Sequence, residues 1–236
     1  MTRGEIIIDL KSRIGSDPEV SDSRLIDWVN EGLRIFCAEH DYYWLQKRVT
    51  TSTFADQAEY TMPTDFKSII EVRIDPTDDD PNVYKYIPYQ QRYGLGATEK
   101  AMTMVGNVLW VHPTPTTTTS NNVYLTYTRY PSNMDEDSDS PSDDDIAGMP
   151  EAFHPALIVY AFALYQGYDE EHGEMDQLMG SQRSPRPGTF YYFVNLAKRE
   201  DEQIKKGVRR HMLSKQEAIG YTKPNQIGIV SEVLKI

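Results

Sequence analysis

The spacing of hydrophobic positions changes twice along the chain. Ile6, Ile7, Leu10 and Ile14 recur at helical spacing, and Gly15 supplies a stop. Ser21 or Asp22 can cap a second helix, with Leu25, Ile26, Trp28, Val29, Leu33, Ile35 and Phe36 on its apolar side and Asp27, Asn30, Glu31 and Arg34 between them. That helix is expected to run to about His40, before the aromatic cluster Tyr42, Tyr43, Trp44. Beyond it the period falls towards two. Short strands are predicted from Val49 to Thr53, Glu59 to Pro63, Ser68 to Ile74, Val83 to Ile87, Ala101 to Met104, Val108 to Val111 and Val123 to Tyr127. The turn-rich stretch from Asp75 to Pro81 and the run after Pro113-Thr114-Pro115 separate them. A helical period then returns, from about Glu151 or His154 to Asp169 and again from about Thr189 to Arg209. The last of these presents Phe190, Phe193, Val194, Ala197 and Ile204 as its stripe. Met175, Leu178 and Met179 leave a turn of helix open, and Ser184-Pro185-Arg186-Pro187-Gly188 breaks any helix.

These elements predict an α+β fold: a bundle of about four helices carrying an inserted small β-sandwich or barrel-like domain, followed by an extended C-terminal tail. The expected divisions are 1–46 for the first bundle helices, 47–131 for the β-rich insertion, 132–149 for an acidic loop, 150–212 for the later bundle helices and 213–236 for the extension. The loop is rich in Asp, Ser and Pro and reads as solvated and mobile. The tail ends in a β-prone apolar run containing Ile227, Ile229, Val230, Val233, Leu234 and Ile236. Such a run has few ways to be buried in its own domain, which suggests a docking strand for a partner.

Composition narrows the function. With 39% hydrophobic and 25% charged residues among 236, the chain is of globular rather than disordered type. Phe153 to Tyr168 is too short and too polar at its ends to span a bilayer, and the start of the chain lacks a signal-peptide pattern. Cys37 is the only cysteine, so an internal disulfide or cysteine-based metal site within one chain is excluded, and a reducing cytoplasm is expected. The formal charge of −12 argues against wrapping nucleic acid through phosphate neutralisation.

Candidate chemistry is sparse. Asp135, Asp137 and Asp139 have the opening spacing of a calcium loop, but Ser140 and Ile146 stand where glycine and glutamate are needed. Gly94-Leu95-Gly96 begins a dinucleotide fingerprint that Glu99 ends, and a turn explains it better. His40, His112, His154, His172 and His211 show no metal-ligand spacing. No cofactor is expected. The 16 tyrosines are the unusual feature. Tyr86, Tyr89 and Tyr93 lie in the β zone without enough basic residues for a nucleic-acid groove, which points to contacts between subunits or to sheet packing. Lys205, Arg209 and Arg210 on the last helix form either a solvated face or a second contact with a neighbouring subunit.

Read in order, LIDWVNEGLRIFCAEHDYYWL, TTSTFADQAEYTMPTDFKSIIEVRI, GNVLWVHPTPTTTTSNNVYLTYTRYP and MPEAFHPALIVYAFALY resemble phage head-to-tail adaptor (connector) proteins. The likeness spans roughly Leu25 to Tyr168, and the layout is also similar to that of tail tubular gatekeeper proteins. The acidic loop is longer than the family pattern, and nothing after Met212 matches it. The resemblance implies a non-enzymatic bundle with a β-rich insertion, assembled in the virion neck as a ring of about twelve subunits. Its implied partners are the portal, a downstream tail or nozzle protein, and DNA that passes without sequence-specific contact; no membrane is implied. A tail-completion protein and, at further remove, a virion-associated cell-wall hydrolase are the alternatives. A hydrolase would need paired carboxylates or a histidine-bound metal, for which the sequence offers no convincing set.

Overall fold

Thr2 opens the first helix, α1 (Arg3–Ile14), with a reciprocal cap: its hydroxyl accepts from the Glu5 amide, and the Glu5 carboxylate accepts from the Thr2 amide. The second, α2 (Asp22–Ala38), starts on Ser21, whose hydroxyl accepts from the Arg24 amide. Its carbonyl end is taken up by Lys67, whose Nζ donates to the carbonyl oxygens of Cys37 and His40 at 2.8 Å each. This is a computed structural model, and it describes residues 1–15, 20–75, 82–168 and 172–220, with the backbone alone for His172 and residues 208–220. The six apolar tail positions named above, Ile227 to Ile236, lie outside the described residues.

The bundle is built around α3 (Pro155–Tyr168). Proline at its first position forfeits no helical hydrogen bond. The side chains from Ala156 to Leu164 give the helix no polar face, so it must be covered on all sides. It is packed by α1, α2, α4 (His172–Met179) and α5 (Phe190–Gly220). Ile6, Leu10, Val29, Leu33, Phe36, Leu157, Phe190 and Val194 form its core with little or no exposure. Gly32 lets α2 approach closely: a Cβ there would stand 3.0 Å from the Tyr160 ring. Among the described residues there are five helices rather than about four, because the Met175 to Met179 segment is α4, and α5 continues past Arg209 to Gly220. The residues of that continuation, Met212 to Ala218, are mostly good helix formers, and glycine ends the run.

Residues 46–129 are inserted between α2 and α3. A three-stranded antiparallel sheet has the order β1 (Gln46–Thr53), β7 (Thr119–Arg129), β3 (Phe66–Ile74). A four-stranded sheet has the order β2 (Glu59–Thr61), β6 (Val108–His112), β5 (Ala101–Val105), β4 (Lys85–Tyr86), with only β4 and β5 parallel. Alternate residues face inward. Val72, Ile74, Val123, Leu125 and Tyr127 meet Tyr60, Met102, Leu109 and Val111 in a second core, distinct from that of the bundle. Gln46, where the chain enters, pairs with Thr128, where it leaves. The fold is α+β, a helical bundle carrying a small β-sandwich. No helix of the described residues is long and apolar enough to cross a membrane.

The acidic segment 132–149 departs from the expected solvated, mobile loop. Met134, Ile146, Ala147 and Met149 are buried in the bundle core. The carbonyls of Asp139 and Asp137 accept from the amides of Arg3 and Gly4 at 2.6 and 3.0 Å, filling donors that the start of α1 leaves unpaired. Buried Asn30 of α2 accepts from the Met134 amide at 2.9 Å and donates back to its carbonyl at 3.4 Å. The segment is a strap drawn across the bundle, with its carboxylates outermost.

Candidate docking surfaces

On the four-stranded sheet, the alternation that buries Leu109 and Val111 turns Val108, Trp110 and His112 to the other face. Cross-strand pairing sets Trp110 between Glu59 and Thr103, and Val108 opposite Val105. A 3-10 turn, Tyr89–Gly94, lies over β5 and encloses Thr103 completely. From that turn the Arg92 guanidinium stacks on two rings, 3.8 Å from the centroid of Tyr89 and 4.6 Å from that of Tyr93. It also donates to the Tyr93 hydroxyl, a bond that draws the Tyr93 pKa below the ordinary value. Glu59, Tyr89, Arg92, Val105, Val108 and Trp110 line a shallow recess of about 150 Å³. Its rim is exposed: Tyr93 is 78% accessible and Val105 49%.

Tyr86 pairs with the core-facing Met102 and falls at the sheet edge on the opposite face, so only Tyr89 and Tyr93 are brought to the Trp110 side. Arg92, Val105 and Trp110 belong with them and went unnoticed in the sequence. The alternation of Val108, Trp110 and His112 about two buried residues was the signal that could have found Trp110. Lys205 is placed elsewhere and is engaged within its own chain. Its Nζ lies 2.6 Å from an Asp201 carboxylate oxygen and donates to the Asp41 carbonyl at 2.8 Å. The side chains of Arg209 and Arg210 lie outside the described residues.

A polar junction holds α5 against the end of α2. Asp201 has no exposed surface, and its carboxylate accepts from the Tyr43 amide and pairs with His40 Nε2, both at 2.7 Å, as well as with Lys205. Burial opposes its charge, but hydrogen bonds from Lys205, His40 and the Tyr43 amide outweigh that and hold the carboxyl below its usual range. Lys198 pairs with Glu39 at 2.9 Å on the same seam.

The strap is fastened by two buried arginines. Arg3 donates to the Met134 carbonyl at 3.0 Å and pairs with Asp137 at 2.6 Å. Arg129, at the end of β7, donates to the carbonyls of Asp144 and Asp145. Asp139 and Asp143 accept from amides of the strap itself. Asp135, Glu136, Asp144 and Asp145 are exposed.

One constellation has the outline of nucleophile chemistry. Ser142 Oγ is 3.0 Å from His154 Nε2, and His154 Nδ1 is 3.0 Å from the Met1 amine. The imidazole has no exposed surface, and the serine hydroxyl donates to the Met149 carbonyl at 2.7 Å. Burial first, then the Met1 charge, lower the His154 pKa. The set ties the strap to the chain start and to the residue before α3. Among the described residues no three His, Cys, Asp or Glu side chains gather to hold a metal ion.

Comparison with known proteins gives one family. The family model described as SU10 adaptor protein matches residues 1–186. Among the solved structures that match is the neck of an empty GTA particle computed with C6 symmetry. It has 9% identity and a TM-score of 0.30, covering 84% of this chain and 91% of that one, a likeness too distant to bear on the argument. No curated protein matches.

Proposed function

The chain belongs to the SU10 adaptor protein family, and from that premise we propose that it is a structural subunit of the neck of a tailed phage. In this reading it forms an adaptor ring of about twelve copies that joins the portal to the tail and extends the DNA channel. The family match over residues 1–186 carries the proposal. The architecture supports it: two separately packed cores give a helical part and a sheet part, each able to present its own contact surface. The charge of −12 suits a wall past which DNA slides without being held.

Within that role, the exposed tyrosines Tyr86, Tyr89 and Tyr93 face a neighbouring subunit, and the basic residues Arg209 and Arg210 add electrostatic contact, while Lys205 serves the seam within its own chain. The apolar positions from Ile227 to Ile236 reach the portal as a docking strand. The protein assembles in the host cytoplasm, works in the virion neck and acts mechanically, without a catalytic step or a cofactor. Deleting residues 226–236 tests the portal contact. The shortened chain is expected to keep its fold and to lose binding to the portal; unchanged binding would refute the assignment.

A further inference from the structure

The most conspicuous unpartnered surface is the aromatic face of the four-stranded sheet. Tyr89, Tyr93, Val105, Val108 and Trp110 around Arg92 make a contiguous apolar and cationic area of a kind monomeric proteins rarely leave in water. Tyr, Trp and Arg are also the residue types on which binding energy concentrates. The four-stranded sheet is packed on the three-stranded one and, among the described residues, has no extensive contact with the α-helices. The opposite kind of surface lies on the bundle. The strap, residues 132–149, carries seven acidic side chains and no basic one. Its backbone is fixed by Arg3, Asn30 and Arg129, so the exposed Asp135, Glu136, Asp144 and Asp145 form a preorganised acidic ridge.

We propose that the strap of one copy docks on the aromatic face of the next, with Asp144 and Asp145 directed at Arg92 and Lys85, and the tyrosine rings packed along the strap. This rests on the ring reading above and names the surfaces that build it. The argument is one of symmetry and charge. The two surfaces are different, complementary and on separate parts of one chain. A contact between them is therefore head-to-tail, the type that repeats around a closed ring and that a two-fold dimer does not use. Glu59 at the floor of the recess disfavours deep entry of a carboxylate, which places the acidic contact at the Arg92 rim.

The test is charge reversal in the full chain, with ring assembly read by imaging the necks of phage particles and self-association read by sedimentation. Arg92→Glu alone and Asp144→Lys with Asp145→Lys are each expected to weaken self-association about tenfold or more, equivalent to about 1.4 kcal/mol. All three substitutions together should restore it to within about threefold of the parent, since the reversed charges again face each other. The residues are on the surface, and matching melting temperatures confirm that folding is unaffected. If the parent chain forms rings and the reversals leave them unchanged, or the combined variant is no better than the single ones, this pairing of surfaces is wrong while the ring stands. If the parent chain forms no ring in the particle, the proposed function itself fails.

Discussion

Replacing Asp201 should loosen the seam between α5 and the end of α2 by an amount the structure allows one to work out. Asp201→Ala leaves the part-buried Tyr43 amide without its acceptor, a loss of about 1–3 kcal/mol. The His40 and Lys205 side chains are 29% and 42% exposed, so they recover most of their solvation. Their pairs add only about 1 kcal/mol together. A total near 3 kcal/mol would lower the melting temperature by about 6–12 °C in a chain of this size. Asp201→Asn keeps an oxygen for the Tyr43 amide and should cost about half as much. The sign of the pH dependence follows from the carboxyl being held below its usual value of 3.8 in the folded protein. The folded state favours the deprotonated form, so the stabilisation is complete above the unfolded pKa and disappears as pH falls through the lower folded one. Urea unfolding of parent and Asp201→Asn, followed by circular dichroism, should show a gap that is constant from about pH 7 to 5 and closes below about pH 4. A gap that persists undiminished at about pH 2 would contradict the role given to this carboxylate.

Two further substitutions probe the core and the strap. The Tyr42 hydroxyl is fully buried without a hydrogen-bond partner, while its ring stacks on Trp44 with centroids 4.3 Å apart. Tyr42→Phe keeps the stack and removes the unpaired group, so urea unfolding should show equal or greater stability, by up to about 1 kcal/mol; a loss of that size would reveal a partner for the hydroxyl. Arg3→Ala removes the donors to Met134 and Asp137 and should cost about 2 kcal/mol. It should also speed cleavage within 132–149 by an aspartate-specific protease, and an unchanged cleavage rate would mean that Arg3 does not hold the strap.

What the sequence disclosed and what it hid have separate physical reasons. The helices with stripes and caps were legible, because Ser21 and the run from Leu25 to Phe36 carry both signals locally. The strands were legible as segments, and the alternation of Val72 and Ile74 or Leu109 and Val111 gave their inward faces. The strap was misread because its acidity dominates its composition. The few residues that decide its fate, Met134, Ile146 and Met149, are scattered, and its anchors Arg3, Asn30 and Arg129 are distant in sequence. The aromatic face was half seen. Tyr89 and Tyr93 stand out in the tyrosine cluster, whereas Trp110 joins them only through the β5–β6 and β2–β6 pairings, and the β4–β5 pairing sets Tyr86 apart. The reach of α5 was underestimated because its second half has helix propensity without an apolar stripe to mark it.

The pairing of Gln46 with Thr128 also bears on how the chain folds. For the bundle, joining α2 to α3 means closing a loop of more than a hundred residues, an entropic penalty that grows with loop length. Once β1 and β7 zip together, the ends of that loop are neighbours on a ladder, and the helices meet as though joined by a short connection. The sandwich acts as its own clasp. Its turns can then change length without refitting the helices, provided the strands at its base stay in register and β3 keeps Lys67 on the end of α2.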